Sequence, residues 1–342
     1  MFFTEKLNLS EEKDEISKEI LRCSLSGKKR IDVVSVFYNS SDLLLETIIA
    51  HANEKKNILY ITDEDKHSID IVTFINKFSN MGEYTYSPEN NYSSVNEYFH
   101  ICNYEKALEL GEKFDLVIYN DIRSFPKYNK QQIKKIVLRV CKSDGIAIAY
   151  SVENVLSEGS PIIFPLKNNR IPIIEPRIIT TRINLNIDIP LVVYEYLNWS
   201  IISNRKVIIF TPDEEKAKVV FQYLSNFKEK LSEDLFLYIS KKSDDNIPLA
   251  FMHKDESIIV TNDFEESYLK LNAVDVIVYF ADNTKFTYKQ LLYLSSKVGR
   301  YETMQRGEAI FLANVETMQM DKARSIARKF NKKAWEKGLL NI

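Results

Sequence analysis

Glycine is scarce in this sequence: eight in 342 residues, against the roughly 7% usual in globular proteins. The eight stand at 27, 82, 111, 145, 159, 299, 307 and 338, never closer than eight residues apart. No Gly-rich phosphate loop can be written from such a list. Both GxGxxG and GxxxxGK[ST] are absent, and with them the glycines that let backbone N–H groups close on phosphates. Cysteine is nearly as rare. Cys23, Cys102 and Cys141 lie far apart with no CxxC, which excludes a disulfide framework or a zinc knuckle. Four histidines (51, 67, 100, 253) form no HExxH or HxH pair, so no metal site is expected, and no G-x-S-x-G elbow supplies a hydrolase serine. His100, in an apolar run, reads as a core histidine. Apolar runs stay strand-sized, far below the ~20 residues that span a bilayer. The opening MFFTEKLNLSEEKDE turns acidic at once and has no apolar signal core; no membrane insertion and a cytoplasmic location are expected. Net charge is −2, so any nucleic-acid contact must come from local patches.

What is present is an alternation. The runs 31–37, 57–62, 98–102, 115–119 and 145–151 read as strands, and SDLLLETIIAHANEK, SIDIVTFINKFSN and NKQQIKKIVLRVCK between them carry apolar residues at helical spacing, with Ser41 or Asp42 as cap of the first. Strand–helix alternation of this kind means a mostly parallel sheet with helices on both faces. From about Ser157 the pattern lapses into SEGSPIIFPLKNNRIPIIEPR, with four prolines and no helical period, as in a connector. A second series follows: helices at 189–203, 213–231 and 287–297, strands at 206–211, 235–240, 257–261, 274–280 and 308–313, and a basic helix from about Val315 to Lys337. The reading is an α/β domain over 1–156, a connector over 157–190, and a second α/β domain over 191–342 that ends in the basic helix.

Several segments, in order, resemble the ComFA family, superfamily 2 helicases that act as late-competence DNA translocases. LNLSEEKDEIS resembles the family's lead-in, and FDLVIYNDIRSFP sits where it has a DEAD-like motif followed by Ala-Phe-Pro. PIIEPR resembles the Pro-Glu-Pro-Arg that opens its connector, and KVIIFTP its first strand of the second domain. ADNTKFTYKQLLYLSSKVGRYETMQRGEAIFL resembles its last motif, in which Gln-x-x-Gly-Arg-x-Gly-Arg precedes Gly-Asp and an apolar strand. The resemblance covers most of the chain. It implies two tandem RecA-like domains, ATP with magnesium as cofactor, single-stranded DNA as ligand, and competence proteins such as ComFC or DprA as partners.

The departures fall on the chemistry. The family's P-loop core would lie at YNSSD, 38–42, as a degenerate site of Ser40, Ser41 and Asp42, with Ser41 where the phosphate-binding lysine would be. Asn120 stands for the magnesium aspartate and Asp121 for the catalytic glutamate. YSVE (150–153) takes the place of Thr-Ala-Thr-Pro, and Glu266, Ser267 and Tyr268 that of Glu-Arg-Gly. In the last motif Tyr293 replaces glutamine and Lys297 the first arginine, while Gly299 and Arg300 remain. The family's cysteine-rich zinc module has no counterpart. Phosphoryl transfer is almost entirely positioning and charge stabilisation, and Asn120, Asp121, Lys297 and Arg300 are what is left of those groups. Asp121 could hold magnesium if the register slipped by one; the plainer reading is a strand-end aspartate capping the next turn. Arg300 is either a relic finger or a surface arginine, and without a P-loop the second is taken.

The expectation is therefore a ComFA-like protein that has lost ATP hydrolysis, with no cofactor, and with a non-catalytic role in binding single-stranded DNA or scaffolding DNA uptake. The rival is a working DNA-dependent ATPase with divergent motifs, needing ATP and magnesium. The nucleic-acid candidates are Lys322, Arg324, Arg328, Lys329, Lys332, Lys333 and Lys337 on the terminal helix, with Ile326, Phe330 and Trp335 as its apolar stripe. Such a helix can hold phosphates or simply solvate its outer face. Lys134, Lys135, Arg139 and Lys142 form a smaller basic group of the same kind.

Overall fold

The computed structural model describes residues 9–65, 68–78, 92–94, 98–157, 159–167, 170–227, 234–244, 246–264, 274–298 and 307–340. Its contacts divide the chain into two units, one of 1–172 with 332–342, the other of 173–331.

The first unit is a seven-stranded sheet of β1 (Arg30–Ser35), β2 (Ile58–Thr62), β3 (Tyr92–Ser94), β4 (Phe99–Cys102), β5 (Phe114–Asn120), β6 (Cys141–Ser151) and β7 (Ile162–Phe164). The spatial order is β3-β4-β2-β5-β6-β1-β7, parallel except for β3 against β4. Every residue of β2 and nearly all of β5 are buried, which is why these strands read as continuous apolar runs: helices cover both faces. The helices are α1 (Leu9–Leu25), α2 (Leu45–Asn53), α3 (Asp70–Phe78), α4 (Tyr104–Glu109) and α5 (Lys130–Val140). In α5 the residues Ile133, Ile136, Val137 and Val140 are buried, at the 3–4 spacing that makes one apolar stripe. Each such side chain contributes roughly 1.5–3 kcal/mol on burial. Its start is fixed by a capping box of Asn129 and Gln132. Because β5 and β6 lie between β2 and β1, the carboxyl ends of β2, β5, β6 and β1 stand side by side, the edge where open α/β sheets hold ligands.

The second unit is a six-stranded, all-parallel sheet in the order β10-β11-β9-β12-β13-β8. Its strands are β8 (Arg177–Thr180), β9 (Lys206–Phe210), β10 (Leu235–Tyr238), β11 (Ser257–Thr261), β12 (Val274–Tyr279) and β13 (Ala309–Ala313). The helices are α6 (Leu191–Ile202), α7 (Glu214–Ser225), α8 (Asn246–His253), α9 (Tyr288–Ser295) and α10 (Met318–Glu336). At the amino end of this sheet Arg205 forms a bidentate pair with Asp275, 2.8 and 2.7 Å, both nearly inaccessible. Asp275 also accepts Ser200 Oγ and the Glu308 N–H. The residue before Glu308 is Gly307 for a steric reason: a Cβ there would lie 2.6 Å from Val298 and 2.7 Å from the Val274 carbonyl oxygen.

Two readings of organisation change. The proline-rich stretch read as a connector over 157–190 supplies an edge strand to each sheet: β7 pairs with β1, and β8 with β13. The division falls inside it, after Pro172. Residues 332–342, read with the second domain, group with the first unit, because Ala334 and Leu339 close an apolar cluster on Leu166 and Lys337 pairs with Glu12. The apolar side of α10 also differs. Met320, Ala323, Ala327, Phe330 and Ala334 are buried, while Trp335 is 62% exposed. Trp335 lies one residue past Ala334, about 100° further round the helix.

Candidate functional site

The carboxyl end of β1 carries the loop 38–42. Tyr38 has φ 65°, and its N–H donates to the Ile122 carbonyl at 2.9 Å. Asn39 fixes the turn from inside: its Nδ2 donates to Ser35 Oγ (2.8 Å) and to the Leu166 carbonyl (3.0 Å), and its Oδ1 accepts the Ser40 N–H (2.9 Å). The chain then enters a short 3-10 turn, Ser41–Leu44, and α2. Ser40, rather than Ser41 or Asp42, is the cap, with Oγ accepting the Asp42 N–H at 3.4 Å. Asp42 is paired with Lys13 at 2.5 Å. A loop held by its own side chains in this way does not present a row of free amides to an anion.

Ser41 and Asn120, seventy-nine residues apart in the sequence, are brought together: Asn120 Nδ2 donates to Ser41 Oγ at 3.1 Å. The same amide reaches Tyr60 Oη at 2.6 Å and Glu64 Oε1 at 3.4 Å, and its Oδ1 accepts the Ile122 N–H at 3.0 Å. The strand-end cap is thus Asn120. Asp121, expected to cap that turn, is instead 2% exposed, with its N–H on the Tyr150 carbonyl at 3.2 Å. Burial, helped by the charge of Asp121, pushes the Tyr119 phenol well above its ordinary range. Tyr150, from the end of β6, donates through Oη to the Ser40 carbonyl at 3.0 Å.

The charged groups that complete this edge were missed in the sequence. Glu64 follows β2, Asp70 begins α3 and Arg123 follows β5. Asp70 Oδ2 accepts the Ser41 N–H at 2.7 Å and lies 3.4 Å from Ser40 Oγ. The Asp70 N–H in turn donates to Glu64 Oε2 at 3.0 Å. Arg123 spans both acids, with Nε 3.4 Å from Glu64 and Nη2 3.6 Å from Asp70, and Nη1 3.4 Å from the Asn39 carbonyl. The Glu64 carboxyl is pushed up to about 7, chiefly by burial, with the nearby Arg123 charge opposing the rise. The available signal was the acidic run TDEDKHSID directly after a buried strand, matched by the lone arginine of NDIRSFP.

A magnesium nucleotide at this edge would need a lysine on the β- and γ-phosphates and a carboxylate on the metal. Ser41 and Asn120 supply neither, and the amide that opens the 3-10 turn already has an anion of the protein's own. The residues present do not fit ATP and magnesium. Among the described residues no group of three His, Cys, Asp or Glu side chains could hold a metal ion.

In the second unit Lys297 is 4% exposed. Its Nζ lies 3.4 Å from the Phe264 carbonyl oxygen and over the rings of Tyr293 (4.8 Å) and Phe210 (5.8 Å). Tyr293 and Lys297 therefore touch each other, the cation lying among aromatic rings. Arg300, Gly299, Glu266, Ser267 and Tyr268 lie outside the described residues.

Most cations of α10, and Lys337 just past it, are engaged locally. Arg324 pairs with Glu316 (3.0 Å) and Asp321 (2.8 Å), Arg328 with Glu175 (3.0 Å), Lys332 with Glu336 (3.9 Å) and Lys337 with Glu12. Lys322 lies 3.5 Å from the centre of the Tyr288 ring. Lys329 and Lys333 are exposed and have no ion-pair partner among the described residues. Of the smaller group, Arg139 donates to the Leu110 carbonyl and Lys142 pairs with Asp115, both at 2.8 Å.

No protein-family model and no curated protein matches the sequence. Solved structures do. Dbp5 of S. cerevisiae, bound to RNA and ADP BeF3, superposes with a TM-score of 0.52 at 11% identity, over 96% of this chain and 95% of that one. The chain has a helicase-like fold. RecG bound to a three-way DNA junction gives 0.53 at 11% identity over 97% of this chain and 46% of RecG. The DUF1998 helicase MrfA, bound to DNA and AMPPNP, gives 0.50 at 12% identity over 97% and 54%. The chain thus spans about half the length of MrfA and RecG and nearly all of Dbp5. The two units are tandem RecA-like domains, each a mostly parallel sheet with helices on both faces. Among the described residues no helix is long and apolar enough to cross a membrane.

Proposed function

We propose that this helicase-fold chain is ComFA-like, has lost ATP hydrolysis, and holds single-stranded DNA during DNA uptake without a nucleotide cycle. The observation that carries the loss of hydrolysis is the Ser41 N–H satisfied by Asp70 at 2.7 Å, in a loop without lysine or glycine. The similar structures of RecG and MrfA hold DNA and that of Dbp5 holds RNA, which supports nucleic acid as the ligand class. Grip on a strand depends mainly on its phosphates and survives without hydrolysis. Lys329, Lys332 and Lys333, the least engaged cations of α10, are the first candidates for that grip. Competence proteins of the ComFC or DprA kind would be recruited to the same complex.

The test is a pair of titrations on the purified chain. MgATP should produce no saturable binding signal; tight, magnesium-dependent binding would restore the ATPase reading. Fluorescence anisotropy with labelled single-stranded DNA should give weak binding at low salt that fades at moderate salt. Reversing Lys329, Lys332 and Lys333 to glutamate should weaken it by about tenfold or more while leaving the fold intact, since each reversed phosphate contact lowers both affinity and salt slope. Absence of wild-type binding at low salt would leave a protein scaffold.

A further inference from the structure

The Asp70 carboxylate occupies an unusual place for a side chain. The 3-10 turn and α2 run on without a break from Ser41 to Asn53, so their first N–H groups lack intrahelical partners and carry the positive end of the helix dipole. In nucleotide-binding relatives of this architecture such amides face a phosphate. Here Asp70 arrives from another helix, twenty-nine residues on, and takes the Ser41 N–H at 2.7 Å. Its second anchor is cationic, Arg123 Nη2 at 3.6 Å, and Arg123 also reaches the Asn39 carbonyl oxygen of the same loop at 3.4 Å. Glu64 holds Asp70 from behind by accepting its backbone N–H at 3.0 Å. An anion is thus gripped by a helix-start amide, a serine hydroxyl and an arginine, and the anion belongs to the protein.

We propose that Asp70 is a built-in counter-anion: it holds the loop 38–42 in its ordered shape permanently, and keeps external phosphates off it. This rests on the functional reading above and deepens it, because without a nucleotide phosphate the Ser41 N–H needs another anion. Asp70 does so through charge as well as shape, with Arg123 as the residue that positions it.

Hydrogen exchange at the Ser41 amide and thermal melting in inorganic phosphate test this on the full chain. In Asp70→Ala the Ser41 amide should exchange at least about tenfold faster than in wild type, the local opening no longer being opposed by the hydrogen bond. Asp70→Asn, which keeps the shape but not the charge, should fall between the two and serves if the alanine variant does not fold. Inorganic phosphate, compared with chloride at equal ionic strength, should raise the melting temperature of Asp70→Ala by a few degrees more than that of wild type. The extra gain should vanish in Asp70→Ala/Arg123→Ala. Equal phosphate responses in all three proteins, or unchanged Ser41 exchange in both single variants, would overturn the proposal. Saturable MgATP binding by wild type would instead overturn the functional reading beneath it, so the two failures are distinguishable.

Discussion

Two arginine–carboxylate arrangements, one in each unit, differ in almost every respect that sets their strength. Arg205 meets Asp275 through two bonds of 2.8 and 2.7 Å, with side-chain exposures of 5% and 0%. Every oxygen of that carboxylate has a further donor, Ser200 or the Glu308 N–H. Arg123 is shared between Glu64 and Asp70 at 3.4 and 3.6 Å and remains 23% exposed. The first pair is a staple at the amino edge of a sheet, where no ligand is expected. The second sits at the carboxyl edge, where ligands bind in this architecture, and its geometry is that of groups filling a place rather than closing a joint. Short, bidentate and buried pairs are costly to break because the survivor is left charged in a dry site, whereas a longer, shared pair at the rim loses less.

Breaking the staple should have the largest effect. Arg205→Met leaves Asp275 buried without its counter-ion, and a loss of about 3–5 kcal/mol is expected, read as a lowered urea midpoint. A loss below about 1 kcal/mol would erase the contrast. Next is the pH dependence carried by Glu64. Its folded-state carboxyl titrates at about 7, above the ordinary value of 4.5, so the folded state holds the proton more tightly than the unfolded chain. The associated stability is present in full below the ordinary value and is lost as pH rises through about 7, on the order of 3 kcal/mol in total. Urea titrations from mildly acidic to mildly alkaline pH should show that decline, and Glu64→Gln should flatten it. An unchanged slope in the glutamine variant would place the titration elsewhere.

The smallest effect sharpens the comparison from the other side. Asn120→Asp installs the carboxylate expected of a magnesium ligand at this strand end, yet it places a negative charge about 3.4 Å from Glu64 and removes the donor to Ser41 and Tyr60. A loss of about 1–3 kcal/mol is expected from the unsatisfied polar groups, with no ATPase activity gained. A stable variant that hydrolyses ATP in an enzyme-coupled assay would show that a single residue had disabled the site.

The alternation of apolar runs made both sheets legible, because strands buried on two faces must be almost wholly apolar; β2, β9, β11 and β12 lie within two residues of their expected spans. Less legible were β7 and β8, three and four residues long, which hide in a proline-rich stretch and gain their place only from a neighbouring strand. At the site, the sequence pointed to Ser41 and Asn120 by what they had replaced, and the structure joins them. Glu64, Asp70 and Arg123 were signalled only by an acidic run after a buried strand and a lone arginine, and nothing local says that these meet. Asp121 looked like a turn residue by type, and only packing buries it.

By itself, then, the sequence determined the two α/β series and the missing phosphate-gripping residues, since both are written in local patterning and in residue identity. Tertiary structure alone decided what fills the site. Strand order sets β2, β5, β6 and β1 side by side, and so gathers an acid from one loop, an acid from a helix start and an arginine from a third segment beside the loop 38–42, where Asp70 takes the Ser41 N–H. That juxtaposition depends on contacts across up to eighty-four residues of chain, from Asn39 to Arg123, and no local pattern encodes it.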